Sequence, residues 1–337
     1  MFPQMLSLLR YPLPLFLVIS LIAASFFAGK YFPPKSIHVL TAPENCPGTM
    51  EQIRLKDYEL IHPLLLTDVT EQSEALRSIQ TDISSYIDGV KSSQKADDIS
   101  VYFRRLDNGA WFAINPNTTY NPASMIKIVY LITYMKMAEK NPQVLNKTIF
   151  FENHFSGGNS QNIVDFQLQP RKYYSVRDLL KYMIKHSDND ATLLLSQNMD
   201  VGVYNKIFKD LKVPIPNPST EYFISVSDFS KFFRVLYSAS YTTTELSEYA
   251  LELLTESTYD QGLRKGIGND IKMAHKFGER IIGVKSQLHE FGIVYYNNTP
   301  YLLGVMTTGT SLTQLSEILG EISRIALTDY KGLIGNL

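Results

Sequence analysis

LLKYMIKHSDNDATLLL, residues 179–195, is the stretch on which the reading of this chain turns. Its first half completes a helix that starts near Ser175, with Ser175-x-x-Asp178 as a capping box and apolar residues at helical spacing up to His186. Its second half, DATLLLS, has the pattern of a following helix. Between them Ser187-Asp188-Asn189 is confined to a tight loop. Such a triplet is most often a turn or a cap. Held between two buried helices, it also gives a rigid mount for a hydroxyl and an amide facing a cleft.

Outward from this pair the chain stays helical over roughly 122–270. Ser124 to Glu139 is a long apolar-rich helix, and Ser225 to Tyr237 and Thr244 to Thr255 are two more. Strand patterns lie on both sides of the block. Upstream, Ile99, Val101 and Phe103 alternate, and Asp107-Asn108-Gly109 turns the chain into AWFAI (110–114), a hairpin. Downstream, Ile271–Gly278, Phe291–Tyr296 and Tyr301–Thr307 read as three strands, the last two joined by Asn297-Asn298-Thr299-Pro300. Leu76, Ile79, Ile83, Ile87 and Val90 mark an amphipathic helix before the first hairpin. Leu312, Leu315, Leu319, Ile322 and Ala326 mark another at the C-terminal end. The expectation is an α+β fold: an antiparallel sheet of about five strands, flanked by N- and C-terminal helices, with an inserted all-helical lobe.

The composition fits. The 337 residues are 45% hydrophobic and 19% charged, with 18 Gly and 16 Pro, as in a globular protein. A net charge of −1 gives no field for nucleic acid. The one cysteine, Cys46, excludes an internal disulfide and a cysteine-built metal site. The six histidines are scattered, and His289-Glu290 has no histidine four residues on, so the zinc-protease helix is absent. No metal or cofactor is expected.

Residues 11–29, YPLPLFLVISLIAASFFAG, carry no charge and lie between Arg10 and Lys30. As a helix they would reach about 28 Å, close to the roughly 30 Å hydrocarbon core. Two readings stand: a signal peptide cleaved near Ala23-Ala24-Ser25, which would release a secreted protein, or an uncleaved single-pass anchor. The length of the run favours the anchor. Either places the rest of the chain outside the cytoplasm. Residues 30–72, rich in Pro and polar residues, read as a stalk, and the folded domain is expected over 73–337.

Three sets of residues can carry chemistry. Ser124-x-x-Lys127 puts a serine at a helix N-terminus and a lysine on the same face, followed by the apolar IVYLI, which would desolvate the amine. A neutral lysine beside a serine is a competent base for making a nucleophile. Alone, the pattern equally describes an N-cap serine with a snorkelling lysine. Ser92-x-x-Lys95 shows this, since it fits the same spacing in a polar break. The second set is Ser187-Asp188-Asn189. The third is His275-Lys276-Phe277-Gly278, where a glycine beside a strand lysine marks a close backbone approach. GNSQN (158–162) lacks the second glycine of a nucleophile elbow. KGIGND (265–270) follows no strand and lacks a third glycine for a dinucleotide loop.

In this order, on helix, loop and strand, the three sets resemble the Ser-x-x-Lys, Ser-Asp-Asn and Lys-Thr-Gly motifs of penicillin-recognising serine enzymes. The resemblance is nearest to the class A β-lactamase domain and runs from about Ser73 to about Leu327. It implies an acyl-enzyme formed on Ser124, with Lys127 as its base and Ser187 relaying a proton to the leaving nitrogen. It further implies that Asn189 holds a substrate carbonyl, that Lys276 lines the far wall near the substrate carboxylate, and that Gly278 lets the strand edge approach the acyl group. The backbone N–H groups of Ser124 and Glu279 would form the oxyanion hole. The implied partner is a small-molecule β-lactam or a peptidoglycan stem peptide.

Two departures from the pattern bear on function. Phe277 stands where those enzymes carry Thr or Ser, which removes a hydroxyl and suggests an altered substrate preference. The 36 positions from Asn189 to Ser225 are short for the loop whose Glu activates the deacylating water. The acidic residues within are Asp190, Asp200, Asp210 and Glu221. Glu221 reads as a helix-start residue rather than that base. The expectation is therefore a hydrolase with slow deacylation. A D,D-carboxypeptidase or penicillin-binding protein is one alternative, and a silent protein that kept the fold is another.

Overall fold

The computed structural model describes residues 49–56, 58–155, 167–217 and 219–335. The 11–29 run, Cys46 and GNSQN lie outside the described residues. Among the described residues no helix is long and apolar enough to cross a membrane.

The chain opens with a hairpin, β1 (Met50–Arg54) and β2 (Leu64–Val69), followed by helix α1 (Arg77–Ser92). Strands β3 (Asp98–Arg105) and β4 (Trp111–Ile114) come next, then a short strand β5 (Thr119–Tyr120) and a 3₁₀ turn over Ala123–Ile126 that runs into α2 (Lys127–Lys140). The strands β6 (Thr148–Phe151) and β7 (Lys172–Ser175) pair with each other. Helices α3 (Val176–Lys185), α4 (Asn189–Asn198) and α5 (Val201–Asp210) lead to β8 (Ile224–Ser225), which pairs with β5. Then follow α6 (Val226–Tyr237), α7 (Thr244–Thr255), α8 (Leu263–Ile267), strands β9 (Lys272–Ile282), β10 (Lys285–Tyr295) and β11 (Tyr301–Gly309), and the long α9 (Leu312–Gly335).

β4, β3, β11, β10 and β9 form one antiparallel sheet in that order, so β9 is an edge strand. One face carries α1 and α9: Leu76, Ile79, Ile83, Ile87 and Val90 are buried there against Leu315, Leu319 and Ile322. The other face carries the helical lobe, built around α2, which buries residues on every side. A helix apolar all round has to lie at the centre of a layer rather than at its surface. With both faces covered, β3 is buried from Ile99 to Arg105 and loses the alternation of a half-exposed strand. The fold is thus the α+β architecture expected.

Three details differ from the expectations. Residues 50–69, read as part of a stalk, make the β1–β2 hairpin, and Leu65 and Leu66 are buried. Asp68 accepts from Arg104 Nη1 at 2.7 Å and from Arg234 Nη2 at 2.6 Å, while Trp111 Nε1 donates to Val69 O at 2.8 Å. These partners are far away in sequence, which is why local periodicity did not reveal the hairpin. β9 and β10 also extend over 279–290, closing at Gly283 with φ +58°. Helix α5 was not anticipated, although Asp200 caps it by accepting from Gly202 N at 2.8 Å and Val203 N at 3.1 Å.

Candidate active site

The turn before Ser124 is held at several points. Asn121 Oδ1 accepts from Ala123 N at 3.0 Å, an Asx turn that carries Ala123 into the left-handed region at φ +47°. Asn121 O is 3.1 Å from His289 Nε2, and Thr307 N donates to His289 Nδ1 at 3.1 Å. Because Nδ1 accepts, Nε2 carries the proton and donates to Asn121 O. Burial holds this imidazole neutral, its pKa lowered to about 3. Gly278 packs against the same turn. A Cβ there would lie 2.6 Å from Pro122 O, 2.8 Å from Met125 N and 3.0 Å from Ser124 N. Only a glycine lets the β9 edge come this close to the backbone of Ser124.

Lys127 starts α2 and is buried. Its Nζ donates to Ser187 O, to Ser187 Oγ at 3.1 Å and to Asn189 Oδ1 at 2.8 Å. The helical spacing suggested that Lys127 would reach Ser124; instead it turns to the Ser187 loop. A desolvated amine with three donors settles on the carbonyl, hydroxyl and amide that can satisfy all of them. Burial lowers the Lys127 pKa to about 7, with Asp188 pulling weakly the other way.

The Ser187 loop is built as the sequence suggested. Ser175 and Asp178 form the capping box of α3. Ser187 takes φ +55°, and Asp188 caps α4 by accepting from Ala191 N at 2.6 Å. A non-glycine residue at positive φ costs of order 1–3 kcal/mol, a strain concentrated at functional sites. From the opposite side Lys276 Nζ on β9 donates to Ser187 Oγ at 2.9 Å and to Phe277 O at 3.0 Å. Burial, and then the neighbouring Lys127, push the Lys276 amine well below its ordinary range.

Lys127, Ser187, Asn189 and Lys276 therefore converge, and Gly278 places the Ser124 turn against the same strand. Ser124 and Asn189 are half-buried. Glu279 follows on the edge strand, and its side chain lines a cavity of about 290 Å³ with Tyr259, Leu288 and Ser316. Phe277 is buried, its ring stacked on Tyr259 with centroids 4.0 Å apart. The Asn121–His289 brace went unread in the sequence. The Asn-Pro pair before Ala123 was its one local signal.

The four carboxylates between Asn189 and Ser225 all have structural partners. Asp190 meets His154 Nδ1 at 2.6 Å, Asp200 caps α5, and Asp210 takes Lys206 at 2.8 Å and Tyr241 at 2.6 Å. Glu221 does not start a helix, since Ser225 caps α6. Its two oxygens take Arg280 Nη2 at 2.6 Å and Nη1 at 3.2 Å. That ion pair holds the Glu221 carboxyl below its usual range.

Solved structures with a similar fold include a PBP-A variant determined as an acyl-enzyme complex with penicillin G. It shares 20% identity over 76% of this chain and 97% of its own, with a TM-score of 0.63. A β-lactamase from Sphaerobacter thermophilus shares 16% identity over 74% of this chain and 96% of its own, with a TM-score of 0.62. A class A β-lactamase from Mycobacterium abscessus shares 16% over 75% and 99%, with a TM-score of 0.61. A search of curated proteins returned no match. The sequence profile described as Beta-lactamase enzyme family matches residues 79–330, which contain all three motif positions, and the chain belongs to that family.

Proposed function

We propose that the protein is a serine hydrolase that forms an acyl-enzyme on Ser124 from a β-lactam amide or a related D-alanyl cell-wall peptide and releases it slowly. The buried Lys127–Ser187–Lys276 relay beside the Ser124 turn carries this reading. In the forward step Ser124 Oγ forms a bond to the substrate carbonyl carbon, and its proton passes to the neutral form of Lys127, which burial makes accessible near neutrality by lowering the pKa to about 7. The C–N bond breaks as Ser187 Oγ gives its proton to the leaving nitrogen, and the lysines flanking Ser187 restore it. The oxyanion would accept from the backbone N–H groups of Ser124 and Glu279, each such donor being worth roughly 3–4 kcal/mol of transition-state stabilisation. Asn189 would hold a substrate carbonyl.

The carboxylates of 190–221 favour a penicillin-binding protein or D,D-carboxypeptidase as the second reading, since each is engaged by a structural partner. Intact-mass measurement after incubation with a penicillin tests the proposal. A persistent adduct supports the penicillin-binding reading and a transient one the hydrolase. No adduct on Ser124 would point to a silent member of the family. We further infer that residues 11–29 hold the domain at the outer face of a membrane. Membrane fractionation of the full chain tests this, and a mature N-terminus near Phe26 in the medium would overturn it.

A further inference from the structure

A second polar cluster shares no residue with the site around Ser124. It lies where β2, the end of β3 and α6 meet, around a cavity of about 340 Å³, at the lower end of the roughly 300–1,000 Å³ range of small-molecule pockets. Arg104 on β3 and Arg234 on α6 line it, and both are buried. Arg104 donates to Asp68 Oδ1 at 2.7 Å and to Thr67 O at 3.1 Å. Arg234 donates to Asp68 Oδ1 at 2.6 Å, to Asp68 Oδ2 at 3.0 Å and to Thr67 O at 3.3 Å. Among the described residues Asp68 is the only carboxylate bonded to either arginine. Two guanidinium charges thus face one carboxylate, an excess of one positive charge in a buried place. Arg105 also borders the cavity but does not add to this excess. Alternation puts its side chain on the other face of β3, where Asp107 takes its Nε at 3.0 Å and its Nη2 at 2.6 Å.

A single guanidinium would balance Asp68 and tie β2 to the sheet. The second leaves donors over: a guanidinium has five N–H groups, and Arg104 spends two of them on Asp68 and Thr67. The fork geometry of arginine suits a carboxylate or a phosphate. Much of the remaining wall is apolar, with Leu64, Leu65 and Leu106. Ser240 lines the cavity as well, and its Oγ accepts from Ser238 at 2.9 Å, which leaves its own proton to donate. A phosphate carries roughly −1.5 to −2 charges near neutrality and has no apolar part. An organic carboxylate brings one negative charge, which matches the excess, and a body for the leucines.

We propose that this cavity binds a small organic carboxylate, its anionic end on Arg104 and Arg234 and its apolar body along Leu64, Leu65 and Leu106. The bound anion completes the charge balance around Asp68 and fastens the β1–β2 hairpin to α6. The site goes beyond the acyl-enzyme reading and does not depend on it, because none of these residues takes part in the proposed acylation.

The single tryptophan of the chain reports on the site. Trp111 is the cross-strand partner of Arg104, and its indole N–H donates to Val69 O, next to Asp68 in the chain. Titrating the full-length protein with hexanoate should give a saturable change in Trp111 emission. At about 100-fold excess over the dissociation constant, the thermal midpoint should rise by about 5–10 °C. Hexanamide, the uncharged isostere, should do neither, and inorganic phosphate should bind more weakly than hexanoate. Leu64→Glu sets a negative charge in the wall, at an exposed position that does not endanger folding, and should weaken hexanoate binding by about tenfold. Leu64→Gln, without the charge, should weaken it less. Ser124→Ala should bind hexanoate like the wild-type protein, which separates this cavity from the cleft. No saturable response to hexanoate would overturn the proposal. So would an equal response to hexanamide, tighter binding of phosphate, undiminished binding by Leu64→Glu, or loss of binding in Ser124→Ala.

Discussion

Lys127 and Lys276 meet on one hydroxyl: Ser187 Oγ accepts from the first at 3.1 Å and from the second at 2.9 Å. Two amines this close, both buried, cannot both keep a full charge, which is the arrangement that the proposed proton relay requires. The pair comes from opposite layers, one at the start of a helix and the other on a sheet edge. The shared hydroxyl therefore has both partners only when lobe and sheet are properly docked.

Ser124→Ala should abolish covalent labelling by a fluorescent penicillin, and Ser92→Ala should leave it intact. Both serines have a lysine three residues on, but Lys95 is exposed at the end of α1, whereas Lys127 is buried. Equal labelling of the Ser124→Ala protein would sink the nucleophile assignment.

Acylation should depend on pH through Lys127. The neutral amine is the reactive form, so the rate should climb about tenfold per pH unit below about 7 and level off above it. Stopped-flow acylation from pH 5 to 9 measures this, and a flat profile would exclude Lys127 as the base.

Turnover should show a burst of one β-lactam per enzyme followed by a slow phase. Positioned acid–base help at the water would be worth about 10²–10⁴-fold, and the carboxylates of 190–221 are occupied elsewhere. Glu221→Gln should leave the slow phase nearly unchanged. A fast steady state that collapses in this variant would show Glu221 to be the deacylating base.

His289 should make the fold acid-sensitive. Its folded pKa of about 3 lies below the ordinary 6.5, so between these values the unfolded chain binds more protons. Its contribution is complete above about 6.5 and is lost as pH falls toward 3. The thermal midpoint should drop across that window, and His289→Gln should be less stable at neutral pH with a flatter acid limb. An unchanged slope would show that His289 is not among the groups responsible.

Asp68→Asn should cost about 3 kcal/mol, because it leaves Arg104 and Arg234 without their shared carboxylate. For a domain of this size that lowers the melting temperature by roughly 6–12 °C, which calorimetry would read. No shift would mean that the hairpin contributes nothing to the fold.

The sequence was most legible where one element carried its own pattern. The apolar stripe of α1, the Ser175–Asp178 capping box and the Asn108-Gly109 turn could be read locally, and the structure has them in place. The candidate site residues were legible as three separate motifs, because each is tied to one helix, loop or strand. What stayed hidden depends on partners distant along the chain. β2 is fixed by Arg104 and Arg234, the Ser124 turn by His289, and the environment of Phe277 by Tyr259. No periodicity at these positions reports such pairings. The preference of Lys127 for Ser187 over Ser124 was equally out of reach, since it is decided by which acceptors share its buried pocket.

The contact of Gly278 with the Ser124 turn has a further consequence. Where two elements meet through side chains, rotamers take up misfit and the gap has some play. Here main chain rests on main chain, with less than one carbon atom of clearance. The separation of the strand edge from Ser124 inherits the stiffness of two backbones and is set before any substrate arrives. Randomising position 278 would vary a distance rather than a chemistry.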